Sequence, residues 1–290
     1  MASSCEGVYA AALTPLRGDL TIDRGAFAAH CRRLLDEGCD GLAIFGTTGE
    51  ANSFSVAERV SAWEALVADG IPAGALLPGT GACALTDAVT LTREALAVGS
   101  PAVLALPPFY YKGVTDDGLF AFFADLIERV GDDRLRLFLY HIPPQTILGF
   151  SFALIARLAE AYPGVIAGTK DSSGDAARIE AACREFPQLR VFAGTEALLL
   201  DTLRWGGAGC ISATVNVTAP LSAEVLRTRD DAAQARLTAR REYLERFPVI
   251  PALKAILHAR TGADTWHVRP PLVPLDDART RNLLDGLLPN

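Results

Sequence analysis

Lysine is nearly absent from this chain. Of its 27 basic residues only Lys112, Lys170 and Lys254 are lysines, and the rest are arginines. Arginine stays charged at any accessible pH and does no amine chemistry, so a lysine kept at a buried place needs a reason. No block or stripe of basic residues occurs, and the net charge is -7. Nucleic acid and anionic membrane surfaces are therefore excluded as expected partners. No apolar stretch free of proline and glycine is long enough to span a bilayer. The amino terminus, Met1-Ala2-Ser3-Ser4-Cys5-Glu6, lacks the basic region of a secretory leader. The six cysteines (Cys5, Cys31, Cys39, Cys83, Cys183, Cys210) form no Cys-x-x-Cys pair. They read as reduced core thiols, and a cytoplasmic location is expected. Neither they nor the four histidines have the spacing of a zinc site, so no metal is expected. Linkers, low-complexity segments and short-period repeats are also missing.

What is present is an alternation. With 290 residues and half of them apolar, the chain is long enough to bury a sizeable core. Short apolar runs fall near 7–13, 41–45, 73–77, 102–106, 135–140, 165–170, 190–193 and 209–213. Each reads as a buried strand. Amphipathic helical stretches separate them. Ser55-Val56-Ala57-Glu58 is a capping box ahead of Val60, Trp63 and Val67, and Asp23, Thr115 and Ser151 can cap other helices. Strand–helix alternation with short connections implies a parallel sheet, and eight repeats imply closure into a (β/α)8 barrel. The barrel is expected over residues 1–228. A small helical extension is expected over 229–290, with helices near 231–246 and 249–262 and a proline-rich tail.

Hydroxyls, glycines and one lysine collect just after the strands, the face on which barrel enzymes build their sites. Lys170 ends the run Val165-Ile166-Ala167-Gly168-Thr169. An ammonium there is partly desolvated, which favours the neutral amine, and a neutral amine can attack a carbonyl to form a Schiff base. Strand alternation puts Lys170 on one face with Gly168 and Ile166, the small Gly168 leaving room beside the amine. Tyr140 shares the inner face of the neighbouring strand with Phe138 and can move the protons that imine formation needs. Gly46-Thr47-Thr48-Gly49-Glu50 offers backbone N–H groups and hydroxyls suited to a carboxylate. It lacks the Gly-Lys-Ser/Thr ending of a phosphate-binding loop. His141 falls on the opposite face from Tyr140 and reads as structural. Lys254 reads as a helix lysine reaching its head out to solvent.

Together, Gly46-Thr47-Thr48-Gly49-Glu50, Tyr110-Tyr111, Tyr140-x-x-Pro143 and Gly168-x-Lys170-Asp171-Ser172-Ser173-Gly174 resemble the dihydrodipicolinate synthase / N-acetylneuraminate lyase family. These are Schiff-base aldolases and lyases that use pyruvate or another 2-keto acid. The resemblance runs from about residue 7 to the tail. It implies a (β/α)8 barrel with a carboxy-terminal helical domain, assembled as a homotetramer, and no cofactor. It implies Lys170 as the imine former and Tyr140 as its proton donor and acceptor. Thr47 and Thr48 would hold the pyruvate carboxylate, and Tyr111 would complete a proton relay from a neighbouring subunit. The backbone carbonyl of Ile211 would face the pyruvate.

One departure bears on the substrate. In the lysine-biosynthetic members an arginine stands two residues after the proline of the Tyr-x-x-Pro motif and binds the carboxylate of the aldehyde. Here that place belongs to Gln145, or to Thr146 if the loop carries an insertion. An amide makes no bidentate ion pair. The segment after Gly49-Glu50 also lacks the polar residues of a lysine feedback site. The expected reaction is therefore carbon–carbon cleavage of a 2-keto-3-deoxy sugar acid or a 4-hydroxy-2-keto acid, with Glu196 and Thr214 available to substrate hydroxyls. Three alternatives stay open: the lysine-biosynthetic condensation, a dehydratase sharing the imine, and a catalytically silent barrel that binds a small acid.

Overall fold

The structure is a computed structural model and describes residues 5–287. Residues 1–4, part of the stretch read for a leader, and residues 288–290 lie outside it. Among the described residues seven parallel strands are formed: β1 (Gly7–Ala11), β2 (Gly41–Ala43), β3 (Val103–Ala105), β4 (Leu137–His141), β5 (Ile166–Asp171), β6 (Arg190–Ala193) and β7 (Gly209–Ser212). They make one sheet in the order β2-β1-β7-β6-β5-β4-β3.

Residues 76–80 fill the gap between β2 and β3. Leu77 N–H donates to the Leu42 carbonyl at 2.9 Å and Gly79 N–H to that of Ile44 at 2.8 Å. On the other side Leu104 N–H donates to Pro78 and Thr80 N–H to Leu104, both at 2.9 Å. The sheet therefore closes as a (β/α)8 barrel. This eighth position starts later than the run at 73–77 suggests. Ala73–Ala75 turns as a single 3-10 helix behind Pro72, so ladder bonds begin only beyond it.

The helices are α1 (Arg24–Asp36), α2 (Val56–Ala68), α3 (Leu85–Ala97), α4 (Asp116–Val130), α5 (Pro143–Thr146), α6 (Phe152–Ala161), α7 (Ala176–Glu185), α8 (Leu199–Arg204), α9 (Val215–Thr228), α10 (Asp231–Leu244), α11 (Val249–Thr261) and α12 (Asp277–Asp285). Their starts follow local chemistry. Asp23, Thr115 and Ser151 each accept a backbone N–H of the first turn, and Ser55 with Glu58 closes the capping box.

Strand alternation sorts side chains into two layers. Val8, Ala10, Leu137 and Leu139 pack outward against the helices. Tyr9, Phe138, Phe192 and Ile211 pack inward, with Tyr9–Phe192 and Phe138–Phe192 ring centroids 5.5 and 5.8 Å apart. The lower barrel is thus a filled core. A β-bulge interrupts the alternation in β5: Leu137 pairs with Ile166, but Phe138 pairs with Gly168. Ile166 therefore joins the outer layer, while Gly168 and Lys170 face the axis. The space at Gly168 also serves a different neighbour from the one expected. A Cβ there would strike the Phe138 ring and the Arg190 carbonyl, so the missing side chain admits Phe138.

A third apolar cluster, including Leu13, Val217, Leu244, Leu253, Leu257 and Leu283, joins the carboxy-terminal helices to the top of the barrel. Beside it lies a buried polar knot. Asn216 accepts the Leu13 N–H at 3.0 Å and donates to the Ala11 and Ala213 carbonyls at 2.7 Å. His30 Nε2 lies 2.8 Å from the same Asn216 oxygen, and Arg33 faces its Nδ1 at 3.2 Å. Burial pushes the His30 imidazole down to about 3, and the Arg33 guanidinium pushes the same way. From the ordinary value of 6.5 down to about 3, the unfolded chain binds a proton that the folded chain refuses. Stability then falls as pH drops through that window, by about 1.4 kcal/mol per pH unit for this group. His30→Asn should flatten the pH dependence of urea midpoints below 6.5. An unchanged slope would place the acid sensitivity elsewhere.

Among the described residues, five cysteines are buried and Cys83 is exposed, so Cys83 is not the core thiol expected for it. No described helix is long and apolar enough to cross a membrane.

Candidate active site

The carboxyl ends of the strands open into a cavity of about 1000 Å3. Its floor is made by β4, β5 and the turn after β2. Tyr140 and Lys170 are register partners on adjacent strands, and both side chains are buried. The Lys170 ammonium lies 4.2 Å from the centroid of the Tyr140 ring. Tyr140 Oη lies 3.4 Å from Thr47 Oγ1, at the edge of hydrogen-bond reach. Lys170 has no carboxylate partner among the described residues. An amine, a phenol and a hydroxyl thus follow one another along the cavity floor.

The turn at 46–50 supplies the next donors. The Thr47 and Thr48 N–H groups bond to no acceptor among the described residues, while Glu50 N–H closes the turn onto the Thr47 carbonyl at 3.1 Å. Thr47 and Thr48 both line the cavity. Free N–H groups in a turn form a concavity suited to an anion. Two unused backbone donors suited to an anion and an unpaired ammonium thus line the same cavity.

Gln145, in α5, is exposed and lines the same cavity. Thr146 does not compete for that role. Its hydroxyl is buried between the carbonyls of Ile142 and Leu148, 2.9 and 2.5 Å away, and its one proton is spent on them. His141 points away from the cavity floor, and its Nδ1 accepts the Phe150 N–H at 2.9 Å. Burial pushes its imidazole down, against the pull of Asp171. Asp171 is itself held by Arg178 at 2.8 Å and by Ser173.

Three expectations change. Glu196 and Thr214 do not line the cavity. Glu196 is fully buried and accepts from the hydroxyls of Ser212, Thr214 and Thr218, with Arg241 Nη1 at 3.4 Å. A carboxylate with that many internal donors is committed to holding β7 and α10 together and has no lone pair left for a substrate. Lys254 does not reach solvent. It is buried and ion-paired with Glu50. Tyr111, expected to act from a neighbouring subunit, does not line this chain's own cavity. It is 73% exposed and stacks edge-on with Tyr110 at 5.3 Å. The Ile211 side chain belongs to the inner apolar layer below the cavity.

The far wall comes from the carboxy-terminal helices, which the sequence reading left out of the site. Arg241 and Glu242 from α10, Glu245 at its C-cap, and Asp276 and Arg279 around α12 line it. Arg241 is engaged on both sides, by Ser212 and Thr214 at 3.0 Å and by Glu245 at 2.6 Å. A second cavity, about 790 Å3, opens at the amino-terminal ends of the strands and holds none of the residues singled out for chemistry.

Comparison with known proteins agrees with this geometry. The sequence profile of the dihydrodipicolinate synthetase family matches residues 4–287. An uncharacterized DapA-like lyase of Chloroflexus aurantiacus is 35% identical over 277 residues, covering 93% of this chain and 92% of its own. The crystal structure of a dihydrodipicolinate synthase from Agrobacterium tumefaciens superimposes with a TM-score of 0.89 at 35% identity, covering 98% of this chain and 99% of that one. A prophage protein of the same family from Escherichia coli, solved in complex with pyruvate, superimposes with a TM-score of 0.87 at 25% identity, each chain covered to 97%.

Proposed function

The chain belongs to the dihydrodipicolinate synthetase family, a group of class I aldolases and lyases, and from that premise we propose that it cleaves a hydroxylated 2-keto acid to pyruvate and a neutral aldehyde through an imine on Lys170. The observation that carries this is the run Lys170–Tyr140–Thr47 on the cavity floor, beside two unused N–H donors. The Lys170 amine attacks the C2 carbonyl, and water leaves as the imine forms. Tyr140 passes the protons of that exchange, with Thr47 next in line. The protonated imine then draws the electrons of the C3–C4 bond while Tyr140, as its phenolate, takes the proton of the 4-hydroxyl; the aldehyde departs, an enamine remains, and the same proton is the one returned to C3. Protonation at C3 and hydrolysis release pyruvate and regenerate the lysine. Thr47 and Thr48 hold the carboxylate throughout, and the Ile211 carbonyl faces the three-carbon unit.

Charge in the cavity argues for a neutral aldehyde. Arg241 is compensated by Glu196 and Glu245, and Asp171 by Arg178. Arg269 is engaged with Glu58 at 2.5 Å and with the Ser53 carbonyl at 2.6 Å. Gln145 offers only neutral hydrogen bonds. The remaining cation on the cavity wall, Arg279, is exposed and faces Asp276 at 3.8 Å, so a second carboxylate would find no buried cation here, which is costly. Substrate hydroxyls suit an amide better. The nearest rival is the condensation of pyruvate with aspartate semialdehyde, the activity behind the name of the Agrobacterium relative. A lactate-dehydrogenase-coupled assay of pyruvate release should detect cleavage of 2-keto-3-deoxy sugar acids or 4-hydroxy-2-keto acids, with poor condensation with aspartate semialdehyde. Gln145→Arg should reverse that preference by roughly tenfold or more, the worth of a charge-assisted bond. Efficient condensation in the unmodified protein would overturn the assignment.

The same reading makes the protein a homo-oligomer, a tetramer by family resemblance, with Tyr111 entering a neighbour's site. Tyr110, Tyr111, Val114 and Ile147 are large exposed hydrophobic side chains of the loops after β3 and β4. Lys112 joins the first of these loops to the second through the Phe109 and Thr146 carbonyls. Sedimentation velocity should show no monomer at assay concentrations, and a fully active monomer would remove Tyr111 from the relay.

A further inference from the structure

The turn that offers Thr47 and Thr48 is strained at both ends. Phe45 and Glu50 have φ of 49° and 58°, the left-handed region that non-glycine residues rarely adopt. Such conformations persist where the surroundings over-determine them. Phe45 is held by apolar packing, its ring meeting Phe27, Phe54 and Trp63 edge-on at 5.8, 5.3 and 6.4 Å. Glu50 is held by charge. Its carboxylate is fully buried, with one oxygen accepting from the Lys254 ammonium and the other from the Arg269 N–H at 2.9 Å. Lys254 spends a second N–H on the His267 carbonyl at 2.5 Å. The donors that fix Glu50 thus come from α11 and the segment after it, outside the barrel.

We propose that Lys254 is a positioning residue: acting through Glu50, it fixes the backbone N–H groups and hydroxyls of Thr47 and Thr48 that receive the substrate carboxylate. This rests on the reading that a 2-keto acid binds there. Packing alone would be served as well or better by two apolar side chains, because a buried ion pair spends most of its attraction on desolvation. Direction is what the pair adds. A carboxylate with a fixed donor on each oxygen holds a single rotamer, and Glu50 N–H carries that constraint to the Thr47 carbonyl. Burial pushes the Lys254 ammonium down, and the Glu50 carboxylate opposes the shift, so the two charges depend on each other.

The test uses pyruvate as probe, with the adduct at Lys170 trapped by borohydride and counted by mass. Lys254→Met/Glu50→Gln removes both charges at nearly constant volume. Glu50→Gln alone leaves Lys254 free to lose its proton, and it is the second variant should the first fail to fold. In whichever folds with a wild-type melting temperature, half-saturating pyruvate should rise roughly tenfold to a hundredfold, the cost of small misplacements in a site. The maximal adduct should stay at one per chain. A purely structural pair would not separate those two readouts. A folded variant with wild-type half-saturation overturns the inference alone. A wild-type protein that traps no pyruvate overturns the inference and the proposed function together.

Discussion

Lys170→Met should lose turnover by at least about four powers of ten, the scale on which removal of a covalent nucleophile is felt. The side chain sits between Tyr140 and Phe192 in the barrel register. Methionine matches its length and fills the same slot without an amine. The fold should survive, because Lys170 has no carboxylate partner among the described residues to strand. Replacing a buried, unpaired ammonium with an apolar group should leave the melting temperature no lower than wild type. The check is a pair of measurements on one preparation: pyruvate release and thermal unfolding. A variant that keeps turnover within tenfold would move the chemistry to another group, and one that unfolds would make Lys170 a packing residue.

The second large effect is expected at Tyr140. Tyr140→Phe removes one hydroxyl and keeps the ring that lies 4.2 Å from the Lys170 ammonium. The lost atom is the one facing Thr47 Oγ1 at 3.4 Å. A positioned acid–base group contributes about two to four powers of ten, and turnover should fall by that much. The imine should still form, only more slowly, because the lysine and the carboxylate turn are untouched. Stopped-flow trapping separates the cases. Slow formation of a full adduct fits a proton-transfer role, whereas a normal formation rate with normal turnover would leave Tyr140 to packing.

The alternation of apolar runs and amphipathic helices carries the barrel in the sequence itself, because each strand is buried on both faces and each helix on one. The carboxyl-end residues followed from it. Lys170 and Tyr140 meet because they end the neighbouring strands β5 and β4, and the turn after β2 brings Thr47 to the Tyr140 hydroxyl because every strand of the closed barrel ends on the same face. Where strand counting failed, a local irregularity was responsible. The bulge at Ile166–Ala167 breaks the period of two, so Ile166 left the inner face while Lys170 kept it. Residues 73–77 are apolar enough for a strand, yet Pro72 and the turn behind it delay pairing until Leu77.

Contacts between distant parts of the chain were hidden for another reason. Glu196 looked like a free carboxylate after a strand, but its partners Ser212, Thr214, Thr218 and Arg241 come from β7 and beyond. Lys254 looked like a helix lysine near solvent, since nothing local reveals that Glu50, 204 positions earlier, lies beneath it. Arg241 sits in the run Arg240-Arg241-Glu242, which reads as a solvated face, and only the packing of α10 on the barrel makes it a cavity wall.

The central claim is a covalent bond between one lysine and a 2-keto acid. Incubation with pyruvate and borohydride, followed by peptide mapping of the reduced protein, tests it most directly. The account predicts one added three-carbon unit per chain, on Lys170. No stable adduct, or an adduct on Lys112 or Lys254, would contradict it.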